Sequence, residues 1–396
     1  MPFPPTGTIE GISLDALSID PYPIYARLRR ERPVAWIPSL NMWWVTRYED
    51  VRDVLLNTEV FVTGTEASLL FDTFGEHMLT SEGVQHQRYR DPRLSGAFMA
   101  AAIRNGARAQ IEARVAALLD GFIATRRTDL RQSLASRLPV LTMLDLFGLP
   151  EEAEGRFRGW YDAFEAALSN HGNDPAIRGR ARDGVMAFHD YMQERIDACR
   201  KDGRPGLLND FLTRPADQRL SDEEIRRNAL IIFFGGISTV EAVTLNILWA
   251  LLKHPRVFER VRASRDLLDA AFDETMRWMS PVQSATRHTV TACEVAGVAI
   301  PAGVTVNCML ASANRDEAVF EVPDSFDIDR PNARKHLGFA TGPHLCLGRH
   351  LAREEALVAI NGLLDRTSRL RLCEPGAGPA GHEFRQPPAL WLEWDR

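Results

Sequence analysis

The sequence has 396 residues, of which 45% are hydrophobic and 25% are charged, and its formal net charge is -6 at pH 7. This composition is typical of a globular protein. The acidic balance argues against nucleic acid or an anionic membrane as the partner. The five cysteines are widely spaced and form no CxxC, which argues against a disulfide framework or a zinc knuckle.

No targeting or membrane signal is visible in the sequence. The first 20 residues lack a basic segment followed by a long apolar stretch, so they do not resemble a signal peptide. The longest apolar run, residues 229–237, is well short of the roughly 20 residues that a membrane-spanning helix needs. We therefore expect a soluble, cytoplasmic, monomeric protein with one domain over residues 1–396 and a loosely ordered segment at residues 1–17.

Helical periodicity dominates the first 280 residues. Ile111, Val115 and Leu118 recur at the spacing of one helix face, and residues 186–199 have a similar pattern. Strand patterns cluster only at residues 36–46 and 285–309, so the fold class is predicted to be mainly α with a small β region. Within the second cluster, a hairpin is predicted with its turn at Pro-Ala-Gly, residues 301–303.

The clearest predicted helix begins at Ser221, because Ser221 followed by Glu224 matches a capping box. It runs for roughly 30 residues, until Pro255, against a mean helix length of about 11–12. Most of its sides are apolar, which indicates burial. Gly235 and Gly236 interrupt its middle, and each glycine lowers the stability of the helix by about 1 kcal/mol relative to alanine. They indicate either close helix packing or a local opening where a ligand approaches the backbone.

The most informative segment is the glycine-rich loop that holds Cys346 and leads directly into a helical pattern. A cysteine at a helix N-terminus faces unpaired N–H groups and the positive end of the helix dipole, which favour the thiolate. Gly342 and Gly348 let the backbone bend and donate to the sulfur. Three interpretations remain open: a buried structural cysteine, a nucleophile paired with His344 or His350, or a single thiolate ligand to haem iron. The lack of a second nearby ligand argues against zinc.

Phe339, Gly342, Cys346 and Gly348 fit F-x-x-G-x-x-x-C-x-G, a pattern that resembles the signature of the cytochrome P-450 superfamily. The resemblance covers nearly the whole chain, from about residue 18 to 392. It implies a single-domain fold with a long central helix over haem b. It also implies that Cys346 is the proximal iron ligand and that Phe339 packs near the sulfur.

Glu274 and Arg277 resemble the E-x-x-R motif of the same family. At i and i+3 on a helix the two side chains can pair. Arg330 resembles the third member of that ion cluster. The resemblance implies a structural role for all three residues.

Several basic residues resemble the family's haem-propionate ligands. His86 and Arg90 fit the H-x-x-x-R pattern of soluble bacterial members, and Arg287 and His344 resemble two further partners. Two buried carboxylates require charge-assisted donors, which is the physical reason for such a set. His336 is a further candidate for approaching the haem.

The interrupted helix resembles the family's oxygen-binding motif, A/G-G-x-D/E-T. The resemblance implies that Gly235 and Gly236 approach the haem and that Thr239 hydrogen-bonds to oxygen. Ser238 stands where the family carries an acid. A hydroxyl can pass on a proton through water but is a poor proton reservoir. Glu241 follows Thr239 by two residues, so it points away and can substitute only through a water chain or a side-chain movement.

The resemblance implies a haem-thiolate monooxygenase that inserts one oxygen atom of O2 into a small, mostly apolar substrate. No flavin or iron–sulfur motif is visible, so electrons from NAD(P)H are expected through a separate ferredoxin or iron–sulfur flavoprotein reductase. Such an acidic carrier would dock on a basic face near the cysteine. The residues expected on this face are Arg88, Arg93, Arg334, Lys335, Arg349 and Arg353.

Two other functions stay open. A peroxide-driven enzyme is motivated by Ser238, and a ligand-binding sensor without turnover is the second alternative. The expected pocket is apolar and rich in phenylalanine, which favours a flat aromatic ligand. This pattern is similar to the branch that O-demethylates small methoxylated aromatics, although a terpenoid or polyketide substrate is also open. The expected pocket residues are Leu69, Leu70, Phe71, Phe74, Phe164, Leu168, Phe234, Ile237, Val282, Ala285 and Phe384.

Overall fold

The computed structural model describes residues 8–65, 68–170, 172–373 and 376–395. Helices make up most of these ranges, as the apolar periodicity predicts. They are α1 (Leu14–Ile19), α2 (Tyr22–Glu31), α3 (Tyr48–Leu56), α4 (Leu69–Phe74), α5 (Gly83–Tyr89), α6 (Pro92–Ala97), α7 (Ala100–Ala102), α8 (Arg108–Asp120), α9 (Leu138–Phe147), α10 (Glu154–Leu168), α11 (Pro175–Asp202), α12 (Leu207–Leu212), α13 (Asp222–Gly236), α14 (Ser238–Lys253), α15 (Pro255–Ala263), α16 (Leu267–Trp278), α17 (Leu310–Ala313) and α18 (Arg349–Arg366).

Shorter helical turns connect some of these elements. Two are π-helical, Ile103–Ala107 and Arg131–Ala135, and the 3-10 turns are Ile123–Thr125, Glu151–Ala153, Ala216–Gln218, Ala333–Lys335 and Gly342–His344. The strands are β1 (Val34–Ile37), β2 (Met42–Val45), β3 (Phe61–Val62), β4 (Arg127–Asp129), β5 (Ala285–Thr289), β6 (Cys293–Val295), β7 (Val298–Ile300), β8 (Thr305–Cys308), β9 (Ser368–Leu372) and β10 (Trp391–Asp395).

The largest sheet has the strand order β1-β2-β8-β5-β3. Its β2 and β8 pair in parallel, and its other neighbours pair antiparallel. Strands β4, β10 and β9 form a second sheet, and β6 and β7 form a two-stranded hairpin. The small β region predicted from the sequence is therefore confirmed.

The predicted position of the hairpin turn is wrong. The tight turn joins β6 to β7 at Ala296 and Gly297, both of which have positive φ angles of 49° and 78°. Residues 301–303 instead lead out of β7 into β8, and β8 pairs with β5. Two turns close together produced one ambiguous pattern, because each contains a glycine that tolerates a left-handed backbone.

The N-terminal residues that the structure describes differ from the expectation of loose order. The Ile9 N–H donates to the Trp36 carbonyl at 2.9 Å, which attaches the chain to β1. Ile12 and Leu17 are buried against Trp44 and its neighbours. Apolar burial therefore orders residues 8–17, while residues 1–7 lie outside the described part of the chain.

The long predicted helix is present as two collinear pieces, α13 and α14. The capping box at Ser221 and Glu224 is confirmed, with both of its hydrogen bonds formed. The break lies at Ile237, whose φ of -103° and ψ of -81° leave the helical range. By length and composition the stretch Asp222–Lys253 could cross a membrane, but 83% of its most apolar window is buried inside the protein, as expected for a core helix.

Helix α14 is the centre of the main apolar core. It packs against α16, α18 and the π-helical turn Arg131–Ala135. Nearly all of its side chains are buried, including Leu245, Leu248 and Leu251. This packing fixes the break at Ile237 relative to α18, the helix that follows Cys346.

Candidate active site

Cys346 lies in the loop that enters α18. Its own N–H donates to the Phe339 carbonyl at 3.0 Å, which closes the loop. The backbone N–H groups of Gly348 and Arg349 donate to its sulfur. Burial raises the pKa of the Cys346 thiol, while these donors and the nearby Arg90 and Arg349 guanidinium groups lower it. A buried sulfur with such donors is suited to bind a metal ion, whose charge stabilises the thiolate.

The two loop glycines differ in their roles. Gly342 has a φ of +74°, and a side chain there would approach the Leu55 carbonyl oxygen to 3.1 Å. Gly348 has an ordinary φ of -83° and open space where a side chain would lie. Gly342 therefore makes the bend, whereas Gly348 serves as an N–H donor at the start of α18.

His336 and Phe339 pack together on the cysteine side. The Phe339 ring stacks on Phe272 with centroids 6.3 Å apart, and the His336 ring lies 5.6 Å from Phe339. Burial lowers the pKa of His336 to about 4, so its imidazole is neutral. His336 also accepts the Gly338 N–H at 3.2 Å, a contact that belongs to the loop.

Three of the four predicted propionate ligands carry buried nitrogens without partners. His86 and His344 lie with ring centroids 4.5 Å apart, and His86 Nε2 and His344 Nδ1 make no hydrogen bond within the described residues. Arg287 Nε and Nη2 are also buried without partners. His344 uses its other ring nitrogen, Nε2, in a contact with Glu82 at 2.9 Å. Buried polar nitrogens normally have hydrogen-bond partners. A ligand with two carboxylates, such as haem, fits this set.

Arg90 is placed differently. Its two terminal nitrogens donate to the Pro343 and Leu345 carbonyls, each at 2.9 Å, so it clamps the cysteine loop. A cavity of about 490 Å³ opens beside this clamp. It is lined by His86, Gln87, Arg90, Pro92, Ser95, Phe98, Met99, Gly342, Pro343, Leu345, Leu347 and Arg349.

The predicted ion cluster is formed in the geometry that its residues require. Arg277 binds Glu274 through two bonds of 2.8 and 2.7 Å, and both side chains are 0% exposed. Arg330 Nε donates to the same carboxylate at 3.3 Å. Arg277 also donates to the Asn314 and Pro323 carbonyls, at 3.1 and 2.8 Å. The cluster thus ties α16 to the segment that precedes the cysteine loop.

Of the two interpretations of the glycine pair, close packing applies to Gly236 and a local opening applies to Gly235. A side chain at Gly236 would approach Met143 Sδ to 3.0 Å, so Gly236 permits close packing against α9. At Gly235 nothing lies within 4 Å, so this backbone is open. Thr239 Oγ donates to the Gly235 carbonyl at 2.7 Å, which holds the Thr239 hydroxyl at the break.

Ser238 and Glu241 are bonded to partners other than Thr239. The Ser238 hydroxyl forms a buried hydrogen bond with the Tyr161 hydroxyl of α10. The Glu241 carboxylate pairs with Arg131 Nε at 2.5 Å. The sequence did not identify Tyr161 and Arg131 as partners, because contacts between residues so far apart leave no local pattern. A tyrosine on the buried face of a helix was the one available signal.

The predicted pocket residues largely converge around α4, α10 and α13. Phe74 lies 5.2 Å from Phe164 and 5.4 Å from Phe234, and Phe234 lies 6.3 Å from Phe384. Val282 forms a backbone bridge with Phe384. Leu69, Leu70, Phe71, Leu168 and Ala285 are half-buried, and Ile237 is buried at the break.

The expected basic face is partly neutralised by acidic neighbours. Arg334 pairs with Asp273 at 2.9 Å, and Arg353 pairs with Asp269 at 2.8 Å and also contacts Asp273. Arg88 also pairs with an acid, Glu224. These ion pairs reduce the positive charge that the sequence positions suggest. Arg93 and Arg349 instead donate to backbone carbonyls, which leaves their charges in place.

Comparison with known proteins matches this geometry. The family model described as cytochrome P-450 matches residues 159–370. The cytochrome P-450 monooxygenase PikC of Streptomyces venezuelae is 34% identical over 387 residues, which cover 93% of this chain and 89% of PikC. The cyclomarin C epoxidase CymV of Salinispora arenicola is 32% identical and covers 87% of this chain and 88% of its own. The crystal structure of CalO2 superposes with a TM-score of 0.88 at 28% identity, covering 98% and 99% of the two chains.

Proposed function

Because this chain belongs to the cytochrome P-450 family, we propose that it oxidises a compact, mostly apolar aromatic molecule. It is a P-450 monooxygenase that binds haem b, uses O2 and receives electrons from NAD(P)H through separate redox partners. The observation that carries the proposal is the convergence of a donor-rich cysteine loop, unpartnered buried nitrogens and an open helix break.

We assign each part of the site a task. Cys346 is the thiolate ligand, and His86, His344 and Arg287 hold the propionates. Haem held by these residues would supply the O2 chemistry, and the Cys346 thiolate would donate electron density to its iron. Arg90 holds the loop that carries Cys346 through its two carbonyl contacts.

The aromatic side chains of the expected pocket support the proposed substrate class. Phe74, Phe164, Phe234 and Phe384 present rings in edge-on and tilted arrangements. Such walls favour flat aromatic ligands through edge and face contacts. We therefore propose hydroxylation or O-dealkylation of small methoxylated aromatics. The names of the two relatives, a monooxygenase and an epoxidase, indicate that reactions vary within this family.

Electrons reach the site through the cysteine side in this proposal. We propose an acidic ferredoxin or an iron–sulfur flavoprotein reductase that contacts Lys335 and Arg349. Arg334 and Arg353 contribute less, because they pair with Asp269 and Asp273. We place the protein in the cytoplasm as a monomer. Electron transfer that slows with rising salt would support this docking.

The first experiment tests thiolate ligation. The reduced, CO-treated protein is expected to show the red-shifted absorption band for which the family is named. Cys346→Ser should lose that band. Cys293→Ser is the matched control, because Cys293 is a half-buried thiol in β6 that has no task in the site. A band that survives in Cys346→Ser would overturn the assignment.

The second experiment tests the substrate class. Small aromatic ethers are expected to shift the haem spectrum from low spin to high spin and to yield a phenol and an aldehyde. Phe234→Ala should weaken that binding more than Phe339→Leu, because Phe339 packs on the cysteine side. Equal weakening by both variants would contradict the pocket assignment.

A second function is favoured by one observation, the serine at 238 in place of an acid. With a poor proton reservoir at that position, peroxide can compete with O2 as the oxidant. Product formation with peroxide alone, at rates matching the full electron chain, would establish this function. Thr239→Ala should lower the product formed per electron, and unchanged coupling would remove the role proposed for Thr239.

A further inference from the structure

A group of polar side chains, some buried and some half-buried, lies beside Ser238. Ser238 and Tyr161 share a hydrogen bond across the α14–α10 contact. Glu241 of α14 pairs with Arg131. Glu165 lies one helical turn beyond Tyr161, on the same face of α10. Polar groups are expensive to bury, so a cluster in an otherwise aromatic region suggests a task.

Tyr161 is oriented by its surroundings. Its ring stacks on Phe234 with centroids 5.3 Å apart and an interplanar angle of 13°. This contact leaves the hydroxyl aimed at Ser238, which is 3% exposed. Burial raises the pKa of Tyr161 well above its ordinary value, so the phenol stays protonated. A neutral phenol can accept one proton while it donates another.

Glu165 and Glu241 are held differently. Glu241 is bound by Arg131, which also donates to the Pro388 carbonyl at 3.1 Å and is thereby fixed. No ion pair of Glu165 is recorded in the described part of the chain. Burial, followed by the charge of Glu241, raises the pKa of Glu165 to about 7, while Arg131 opposes the shift. Glu165 is therefore the carboxyl of this group that can hold and release a proton near neutral pH.

The charged groups that act on Glu165 come from three elements. They are Asp162 of α10, Glu241 of α14 and Arg131 of the π-helical turn. Helices α4 and α11 also pack against α10, and they present the rings of Phe74 and Phe188. The proton affinity of Glu165 is thus set by one cation, two carboxylates and an apolar wall.

We propose that Glu165 and Tyr161 supply protons to Ser238, so that an acid on α10 replaces the acid missing from α14. A proton leaves the Glu165 carboxyl and passes through a bridging water to the Tyr161 oxygen, while the Tyr161 proton passes to the Ser238 oxygen and Ser238 releases its own hydroxyl proton toward Thr239. Rotation of the Ser238 hydroxyl then restores the starting hydrogen bonds. No electron moves along this route, and solvent reprotonates Glu165. The protons are those consumed when O2 is reduced, so the inference rests on the proposed monooxygenase function.

Three variants test the route by yield. In Glu165→Gln and Tyr161→Phe, the product formed per NAD(P)H oxidised should fall by about tenfold. This decrease is smaller than the roughly 100-fold loss of rate that is typical when a general acid is removed, because water still carries some of the protons. The double variant should be no worse than the worse single variant, because both act in one chain. Glu152→Gln is the matched control, since Glu152 is an exposed acid in the turn that precedes α10 and is not among the groups acting on Glu165.

Two further arms separate a proton route from damage to the pocket. Hydrogen peroxide brings two electrons and two protons with its oxygen atoms, so the variants should keep their product rates when peroxide replaces O2 and NAD(P)H. Ser238→Asp in the Glu165→Gln background should restore the yield, because it returns the acid to α14. Rates that fall equally with peroxide, or a failure of this rescue, would overturn the proposal.

A measurement without turnover completes the test. The infrared difference between wild-type and Glu165→Gln holoenzyme should show a protonated-carboxyl band that disappears as pH rises through about 7. Glu355, whose pKa burial raises to about 8, is present in both proteins and cancels in this difference. Glu152→Gln should show no such difference from wild type, and absence of the difference band in Glu165→Gln would contradict the assignment. This readout needs no substrate, so failure of the monooxygenase function itself would appear separately, as the absence of the CO band.

Discussion

The two sides of the candidate haem site are built in different ways. The cysteine side is nearly continuous in sequence, from Phe339 to Gly348, and its loop is closed by its own backbone bonds. The oxygen side draws Tyr161, Ser238 and Arg131 from three distant segments. The cysteine side follows its family's pattern closely, whereas the oxygen side departs from it at position 238.

The difference shows that the cofactor requires one fixed arrangement on the cysteine side, whereas proton supply on the oxygen side can be arranged in several ways. A thiolate ligand needs a sulfur and N–H donors in one fixed arrangement, and a short loop at a helix N-terminus provides it. A proton supply needs only hydroxyls and a carboxyl within hydrogen-bonding reach, and several helices can provide them. The cysteine side should therefore lose stability when altered, and the oxygen side should mainly lose coupling.

The largest expected effect is on the cysteine side. Arg277→Ala leaves Glu274 buried without its main partner, which should reduce the free energy of unfolding by about 3–5 kcal/mol. Chemical denaturation of wild type and variant measures it. Arg277→Lys should recover only part of the loss, because an ammonium group cannot make two parallel bonds and reach the Asn314 and Pro323 carbonyls.

The control for this prediction is an exposed pair between neighbouring segments. Arg260 binds Asp329 at 2.7 and 2.8 Å on the surface. Arg260→Ala should leave the denaturation midpoint nearly unchanged, since water screens such pairs. If Arg260→Ala and Arg277→Ala lowered the free energy of unfolding equally, burial of the cluster would add nothing to the stability that its ion pair provides.

The next effect concerns haem retention. Arg287→Leu removes a guanidinium whose Nε and Nη2 have no partner within the described residues. The variant should lose haem to an apoglobin acceptor about 10–100 times faster, which corresponds to one charge-assisted bond of about 1.5–3 kcal/mol. The haem-free variant should be no less stable than the haem-free wild type, because burial already disfavours the Arg287 charge. Unchanged haem loss would remove Arg287 from the propionate set.

Most of the fold could be predicted, because it depends on local patterns. Apolar periodicity identified α8 and α11, and Ser221 with Glu224 located the start of α13. The errors lie where tertiary contacts decide. Two adjacent glycine turns could not be told apart, because the choice depends on β8 pairing with β5. The order of residues 8–17 depends on burial against β1 and β2, which no local pattern reveals.

The site was predictable to the same extent. Sequence motifs predicted the cysteine loop, the ion cluster and the histidines, because each motif has fixed spacing. They did not predict Tyr161 as the partner of Ser238, since that contact joins α10 to α14, which are far apart in sequence. The motif did show that an acid was missing at 238. The position of a substitute acid depends on how the helices pack, which the motif does not show.

A smaller effect is expected from pH on the oxygen side. The pKa of Glu165 is raised to about 7 in the folded protein, so the folded state binds a proton more tightly than the unfolded state. Stability from this group is therefore present below the ordinary glutamate pKa and is lost as pH rises through about 7. Glu165→Gln should match wild type at about pH 4 and exceed it by about 1–3 kcal/mol at about pH 8.

Thermal unfolding across this pH range checks the prediction, with Glu152→Gln expected to show no such trend, because Glu152 is exposed and is not among the groups acting on Glu165. A variant that gains stability while it loses coupling is the behaviour of a residue kept for function. If Glu165→Gln were less stable than wild type at about pH 8, Glu165 would be ionised and structurally paired there, and its role as proton donor would fail.

The smallest effect distinguishes the two glycines at the break. Gly236→Ala should lose about 1 kcal/mol, because its methyl would press on Met143 Sδ and outweigh the gain in helix propensity. Gly235→Ala meets no protein atom within 4 Å and should gain up to about 1 kcal/mol. Chemical denaturation of the two variants gives opposite signs if Gly236 serves packing and Gly235 serves the site.

Spectra of the same pair complete the distinction. Gly235→Ala adds a methyl on the open side of the break, next to the carbonyl that Thr239 binds, so it should alter the haem spectrum and weaken the shift caused by aromatic ethers. Gly236→Ala faces α9 and should leave both unchanged. If the two variants exchanged these behaviours, α13 would be rotated from the orientation described, and the oxygen side would have to be built on the opposite face of the helix.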